Sequence, residues 1–411
     1  MRLLRTYKKS IKIEALTSIF LLIATIFALF IYNTPLKNMY DYILNDIYIV
    51  NEFSIHMFIN EFLMSIFFLV AGLEIKSEIL YGNLSSLKKA SFPVFASIGG
   101  VIVPALIFIL INKNSQFLSG FCIPISTDIA FAVGIFILFS NKFNPALKVF
   151  LLSLAVVDDL ISIAFIAIVY SLDINFTYLI ISFAIFITLI IANKLFKIES
   201  IIYYLISGLC LWYFVHLSGL HSTISGIILA ITIPSKSYTC RKSTLDRLQC
   251  ILVPINSLFI IPLFAFANTG ISLTYNIDLS SAKPLYMGII LGLSVGKPLG
   301  IMLFCYLGDL FKFTEKPKNI SWLAIFFVSL IAGIGFTMSI FISELAFIHN
   351  LTLVNIAKMA ILISASISIA ASFLTISIYI YVCKLKNKTT RLTNKYLISE
   401  KIVFFIKNSK L

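Results

Sequence analysis

Long apolar stretches are the feature that most restricts how this 411-residue chain can fold. A helix needs about 20 apolar residues to cross the hydrocarbon core of a bilayer, and 60% of the residues here are hydrophobic. The predicted spans are 13–32, 56–76, 91–111, 118–140, 146–171, 176–195, 201–216, 219–234, 251–273, 284–308, 321–347 and 353–383. We therefore predict an all-α polytopic membrane protein with twelve transmembrane helices in a domain of residues 1–383, followed by a basic tail of residues 384–411.

The basic residues predict an orientation. Among lysines and arginines outside the spans, only Lys37, Lys113 and Lys283 fall in loops on the side opposite the N-terminus. Because basic loops stay in the cytoplasm, both termini are predicted to be cytoplasmic. The net charge of +14 then lies beside lipid headgroups, and nucleic acid is not an expected partner. The tail could form an amphipathic helix on the membrane surface or be disordered.

Four ionisable residues fall deep inside predicted spans. Asp158 and Asp159 are adjacent in KVFLLSLAVVDDLISIAFIAIVY, while Asp128 and Lys297 lie in the fourth and tenth spans. A charge at membrane depth is costly, and such residues usually face a water-filled cavity and move ions or protons. They indicate an ion-coupled transporter.

Helix geometry separates the two adjacent aspartates. Neighbouring positions on a helix point about 100° apart, so Asp158 and Asp159 cannot easily face one partner. One can line a cation cavity while the other turns toward a neighbouring helix, where Lys297 could pair with it. The alternative is a buried salt bridge with a spare carboxylate, which would leave one aspartate uncompensated.

Two predicted spans contain signals for a break. In the fourth, Pro124 removes a helical donor shortly before Thr127 and Asp128. In the eleventh, Gly333 and Gly335 flank a second break. Interrupted helices at membrane depth line cavities or are buried in protein, and they point to a transporter's binding site. Asp128 would be stabilised at half-helix N-termini, and a lysine at C-terminal ends. The alternative is a simple kink at Pro124 and glycines that only permit close packing.

At these residues the chain resembles the NhaA-type Na+/H+ antiporters of bacterial inner membranes. The strings that carry the resemblance are FFLVAGLEIKSEIL (67–80), PISTDIAFAVGI (124–135), ALKVFLLSLAVVDDLISI (146–163), HLSGLHSTISGIILA (216–230), PLFAFANTGISL (262–273), GLSVGKPLGI (292–301) and IAGIGFTMSIFISELAF (331–347). The resemblance implies an inverted-repeat transporter fold whose fourth and eleventh helices are broken and cross near the midplane, an architecture for which this family is a standard example.

The resemblance also implies roles for individual residues. Asp159 matches the principal cation ligand and Asp158 its partner, so these two would hold the transported Na+. Asp128 and Thr127 match the unwound part of helix four, and Lys297 the lysine paired with the two aspartates.

Further positions match residues linked to the pH response, namely Glu74, Glu78 and His221. The chain departs from the family at Gln249 and Cys250, which replace the acidic and histidine residues of its RLEH string, and at Ser77, which replaces a basic residue. The resemblance therefore does not imply the family's pH set point for this chain.

The expected function is electrogenic exchange of cytoplasmic Na+ or Li+ for external protons, by alternating access and without a cofactor. The second proton could be carried by Asp158 or by Lys297. A homodimer is expected from the resemblance, with the connection at 33–55 as a candidate contact. The alternatives are a proton-coupled symporter of an organic anion on the same scaffold, or a non-transporting membrane subunit. No nucleophile–base arrangement indicates an enzyme.

Overall fold

The structure is a computed structural model of the chain. Its backbone is described over residues 2–50, 53–113, 116–139, 143–171, 174–237, 242–272, 282–317, 320–348 and 350–408. Side chains are described over the same ranges apart from 2–14, 50, 83, 87–89 and 383–408.

Helices dominate the described residues. The α-helices are α1 (Arg2–Tyr32), α2 (Lys37–Asp41), α3 (Ile55–Met57), α4 (Met64–Leu80), α5 (Leu87–Ile111), α6 (Ile129–Phe139), α7 (Pro145–Val169), α8 (Phe176–Lys194), α9 (Ile201–Leu217), α10 (Ile224–Thr232), α11 (Thr244–Ile255), α12 (Ile261–Asn268), α13 (Lys283–Leu291), α14 (Lys297–Leu310), α15 (Trp322–Ala332), α16 (Phe336–Ala346) and α17 (Leu351–Asn408). The 3-10 segments are Asn83–Ser85 and Leu118–Ile125, and the π-helical segments are Tyr42–Asp46, Phe58–Leu63, Asn256–Ile260 and Gly292–Gly296.

The helices are those of an all-α polytopic membrane protein. Within the described residues, nine helices are long and apolar enough to cross a membrane, and the bent pair α15 and α16 raises the number to ten. Helix α9 is apolar but shorter. Large apolar side chains such as Ile26, Leu138 and Phe176 are exposed on the outside, as expected for surfaces that face lipid. The count of twelve spans stays a prediction.

The eighth predicted span, 219–234, is much shorter in the structure. Helix α10 has nine residues, and at about 1.5 Å per residue it cannot cross the hydrocarbon core alone. The preceding residues form a turn in which Ser218 and His221 accept backbone hydrogen bonds or cap their neighbours. The sequence predicts a break between the seventh and eighth spans at 217–218, whereas the turn extends to Thr223 and α10 begins at Ile224.

The first connection contains the sheet of the described residues. Strands β1 (Tyr48–Val50) and β2 (Phe53–Ser54) pair antiparallel, with Tyr48 opposite Ser54. Tyr48 and Ile49 are exposed on this hairpin. At the other end of the chain, α17 continues without interruption across the predicted boundary at 383/384 to Asn408. The domain division stays a prediction.

Prolines account for two of the π-helical segments. Pro262 follows Asn256–Ile260, and Pro298 follows Gly292–Gly296. A proline inside a helix lacks the N–H that would bond to the carbonyl four residues earlier, so the ladder loosens in that preceding turn. Single π-helical turns of this kind are frequent at functional sites. One of them ends directly before Lys297.

Helices α5 and α14 approach each other backbone to backbone. A Cβ on Gly99 would lie 2.3 Å from the carbonyl oxygen of Gly300, and a Cβ on Gly300 would lie 2.1 Å from that of Gly99. Small residues permit such close contact between membrane helices. Since Lys297 is one turn from Gly300, this contact also sets the depth and direction of the lysine.

We expect Gly300→Ala to lower the thermal unfolding midpoint of the detergent-purified protein. The added methyl group must separate the two backbones, and overpacking of this kind costs about 1–3 kcal/mol. Gly208→Ala is the matched control, because its Cβ would meet only the flexible end of Leu229 at 2.4 Å. Equal midpoints for the two variants would contradict the assigned role of the glycine contact.

Candidate cation site

The helix of the fourth predicted span is interrupted at its middle. The 3-10 segment Leu118–Ile125 contains Pro124 and ends before Ser126, which has an extended backbone with ψ of 156°. Helix α6 begins only at Ile129. Thr127 and Asp128 therefore lie in a short non-helical stretch, where proline has removed a helical donor.

A second interruption separates α15 from α16, whose axes bend by 43°. Gly333 and Gly335 lie in this break, and close packing explains both. A Cβ on Gly333 would lie 2.6 Å from the carbonyl oxygen of Leu293, and one on Gly335 would lie 2.1 Å from Oγ of Ser339. Both glycines have negative φ, so they are needed for space rather than for a left-handed backbone.

The two interruptions satisfy each other's polar groups. The backbone N–H of Asp128 donates to the carbonyl oxygen of Ile334 at 2.8 Å. Oγ1 of Thr127 lies 3.0 Å from the carbonyl oxygen of Ala332. Buried backbone groups need such partners where no helix supplies them. The two breaks are therefore in direct contact. That the two helices cross near the midplane stays a prediction.

The carboxylate of Asp128 joins the starts of two helices. It accepts hydrogen bonds from the backbone N–H of Phe131 in α6 at 3.0 Å and from that of Thr337 in α16 at 3.0 Å. Oγ1 of Thr337 donates to it at 2.5 Å. Helix N-termini carry partial positive charge, so a carboxylate is stabilised at this point.

Asp158 is fully paired inside the protein. Nζ of Lys297 lies 2.9 Å from its Oδ2, and both side chains are 0% exposed. Oγ of Ser97 donates to Oδ1 at 2.5 Å, and Oγ1 of Thr127 lies 2.8 Å from Oδ2. Nζ of Lys297 also donates to the carbonyl oxygen of Ile125, the C-terminal end of the 3-10 segment. The lysine thus meets both a carboxylate and the negative end of a helix.

Asp159 has a different environment. Its side chain is buried, and among the described residues its Oδ1 has no hydrogen-bond partner. The side chain lines a cavity of about 550 Å³. A buried carboxylate oxygen without a donor is unfavourable, and a proton or a cation would relieve that cost.

The cavity collects some of the predicted site residues and leaves others out. Its lining is formed by Thr17, Phe67, Val70, Ala71, Glu74, Asp128, Ile129, Ala130, Val133, Leu152, Asp159, Gln249, Cys250, Val253, Pro254, Asn256, Ser257, Ile261, Thr337 and Met338. Asp159, Asp128 and Glu74 thus share one cavity. Thr127, Asp158 and Lys297 lie behind its wall, and Pro124, Gly333 and Gly335 mark the breaks.

Two of the expected pH-response residues do not line this cavity. The side chain of Glu78 folds over Gly82, where an added Cβ would lie 2.1 Å from its Oε2. Nδ1 of His221 is 2.8 Å from Oγ1 of Thr223, and its ring meets Phe341 edge-on at 5.4 Å. Both therefore could influence the site only through intervening structure.

The structure adds residues that sequence reasoning did not select. Ser97 donates a hydrogen bond to Asp158, and Thr337 donates one to Asp128. Asn256 lines the cavity. Thr337 directly follows the GIGF string, so the sequence could have predicted its place at the start of a half-helix. No neighbouring sequence pattern identifies Ser97 or Asn256 as site residues.

These features are those of a polytopic membrane protein of the ion-transporter class, with a buried carboxylate site where two helix breaks meet. The family described as "Na+/H+ antiporter 1" matches residues 8–376. The chain belongs to this family.

Individual relatives have names that agree with this family assignment. The chain is 41% identical to a Na+/H+ antiporter NhaA of Helicobacter pylori (strain ATCC 700392 / 26695), over 88% of this chain and 93% of the relative. It is 41% identical to a Na+/H+ antiporter NhaA of Pelagibacter ubique (strain HTCC1062), over 89% and 95%. A Na+/H+ antiporter NhaA 2 of Aliarcobacter butzleri (strain RM4018) is 41% identical over 88% and 94%. These comparisons give the organic-anion symporter no support.

Proposed function

We propose that the chain exchanges cytoplasmic Na+ or Li+ for external protons across the bacterial inner membrane, with both termini in the cytoplasm. The observation that carries the proposal is buried Asp159, which lines the cavity and whose Oδ1 has no hydrogen-bond partner among the described residues. The family and the names of the relatives support Na+ and protons as the exchanged ions.

In the proposed mechanism, protons compete with Na+ or Li+ for the carboxylate of Asp159. Na+ and Li+ prefer oxygen ligands, above all carboxylates, and a protonated carboxyl group cannot bind them in the same way. Asp159 and the group that carries the second proton lose their protons to the cytoplasm, and Asp159 binds the cation. The protein then reorients, releases the cation outside and takes up protons. The binding cavity is lined by the carboxylates of Glu74, Asp128 and Asp159.

The charges next to the site are each compensated by a partner of opposite sign. Asp128 balances the N-termini of α6 and α16, while Lys297 balances Asp158 and the end of the 3-10 segment. Thr127 holds Asp158 to the contact between the two breaks. Asp158 or Lys297 carries the second proton. Two protons for one Na+ move one net charge inward, and the membrane potential supplies about 2.3 kcal/mol per charge per 100 mV.

The surrounding assembly is part of the proposal. The lipid bilayer contacts the exposed apolar faces, and the basic loops face the cytoplasm. The exposed hairpin of β1 and β2 offers unpaired strand edges to a second copy, which supports a homodimer. Cross-linking of a cysteine placed at Tyr48 in the membrane tests this contact.

The exchange function is tested in everted vesicles with a fluorescent reporter of the pH gradient. Addition of Na+ or Li+ should dequench the signal, whereas K+ at the same concentration should not. Vesicles that contain the Asp159→Asn variant at equal expression provide the background. A wild-type protein without a Na+ or Li+ response would refute the proposed function.

We expect exchange to strengthen as the pH rises. Protons and Na+ compete for one carboxylate, so the apparent KM for Na+ should fall by about tenfold per pH unit while Asp159 is mainly protonated. Above that range the KM should level off. Glu74, Glu78 and His221 remain candidates for setting the pH at which this occurs, and dequenching across a pH and Na+ series measures it. A KM that is independent of pH would contradict competition.

A further inference from the structure

The side-chain amide oxygen of Asn256 has no hydrogen-bond partner among the described residues. It is the first residue of the π-helical segment Asn256–Ile260 and is 6% exposed. Its Oδ1 is buried and has no hydrogen-bond partner within the described ranges. The side chain lines the same cavity as Asp159. A buried unsatisfied acceptor costs about 1–3 kcal/mol, and a bound ion or water molecule at this position would remove that cost.

The local helix geometry explains how Asn256 comes to face the cavity. Gln249, Val253 and Asn256 recur at helical spacing, and all three line the cavity. Ser257 lies beside them on the same face. The π-helical turn begins at Asn256 and precedes Pro262, so the backbone is widened at this point. Along this face of the helix, Gln249 is half-buried and Asn256 is buried. Asn256 therefore lies deeper inside the protein than Gln249.

A small cation at Asp159 needs more oxygen atoms than the carboxylates supply. The oxygens of Asp128 already accept hydrogen bonds from Phe131 and Thr337, and those of Asp158 accept from Ser97 and meet Lys297. Hard cations combine carboxylates with neutral amide or carbonyl oxygens and water. Asn256 lines the cavity and carries such a neutral oxygen.

Resting on the exchange function proposed above, we propose that Asn256 is a further ligand for the transported cation, which it contacts directly or through one water molecule in the cavity. The amide can turn about χ2 to present its oxygen, because no protein hydrogen bond to Oδ1 has to break. An amide does not titrate in this pH range. Asn256 therefore strengthens cation binding without strengthening proton binding, and it biases the competition at Asp159 toward Na+ and Li+.

The test compares Na+ and Li+ kinetics of variants in everted vesicles. Asn256→Leu should raise the apparent KM for both ions by about tenfold, since a polar contact to a charged group is lost, and should change KM more than the maximal rate. The ratio of variant to wild-type KM should be the same at every pH. A residue that acted through the proton affinity of Asp159 would instead give a ratio that changes with pH.

Matched variants separate binding from packing. Asn256→Asp keeps an oxygen at the same place and should restore a KM near or below that of the wild type at alkaline pH. Asn193→Leu is the control, because the amide of Asn193 donates to the carbonyl oxygen of Thr232 at 2.7 Å and does not line the cavity. It should leave the KM unchanged. Asn256→Ala replaces Asn256→Leu if the larger side chain prevents folding, and should raise the KM in the same way.

The outcomes distinguish this inference from the exchange function. A wild-type protein without a Na+ or Li+ response overturns both. A responsive wild type together with an unchanged KM in Asn256→Leu or Asn256→Ala overturns only the role of Asn256. A KM that stays raised in Asn256→Asp overturns it as well, because the loss then reflects packing. Stabilisation of the purified protein by Na+ at alkaline pH, which follows binding directly, should be weaker in Asn256→Leu.

Discussion

Asp159→Asn is expected to abolish exchange of Na+ and Li+ for protons. The substitution keeps the size of the side chain but removes both its charge and its ability to take up a proton. An ionised group in a buried site contributes several kcal/mol to binding its partner, so the exchange rate should fall by at least about 100-fold. Dequenching in everted vesicles at alkaline pH and saturating Na+ measures the loss.

The matched control is Asp309→Asn, at an exposed aspartate near the end of α14 that does not line the cavity. It should exchange like the wild type. Expression and the thermal unfolding midpoint of both variants show whether they fold. Exchange at the wild-type rate by a folded Asp159→Asn protein would mean that the cation binds elsewhere.

The second large effect is expected at the buried pair of Asp158 and Lys297. Lys297→Met removes the cation that lies 2.9 Å from Asp158 and leaves a charge that no water can reach. Loss of one partner from a buried pair costs about 3–5 kcal/mol. The unfolding midpoint in detergent should therefore fall clearly.

Neutralising both partners tests whether the unpaired charge of Asp158 causes the expected loss of stability in Lys297→Met. Asp158→Asn combined with Lys297→Met should recover most of the lost stability, because replacement of a buried ion pair by neutral groups is often tolerated. Lys283→Met, at an exposed lysine at the start of α13, should leave the midpoint unchanged. A double variant no more stable than Lys297→Met would show that the pair is not what stabilises this region.

The polytopic helical fold could be predicted because it depends on apolar length, a local property of the sequence. The different surroundings of Asp158 and Asp159 were also accessible, since helix geometry alone directs adjacent residues apart. The sequence could not identify Ser97 or Asn256, because their places depend on how helices far apart in the chain pack together. The break before α10 was predicted, but it is longer than expected because Ser222 and Thr223 belong to the turn.

Thr127 illustrates the limit of carrying roles over by resemblance. It was expected to bind the cation, but its hydroxyl lies between Asp158 and the carbonyl oxygen of Ala332 and does not line the cavity. A hydroxyl has one hydrogen to donate, so it bonds to only one of these two oxygens at a time. A direct ligand role for Thr127 stays a prediction.

The contact between the two breaks also affects how the chain is made. Asp128 and its partner Thr337 are 209 residues apart, so the first half enters the bilayer well before its partner is synthesised. Until then, the exposed backbone of the first break and the Asp128 carboxylate lack their final hydrogen bonds in a medium that offers few others. Biogenesis therefore passes through a half-inserted stage, and this stage ends only when the second half of the chain arrives.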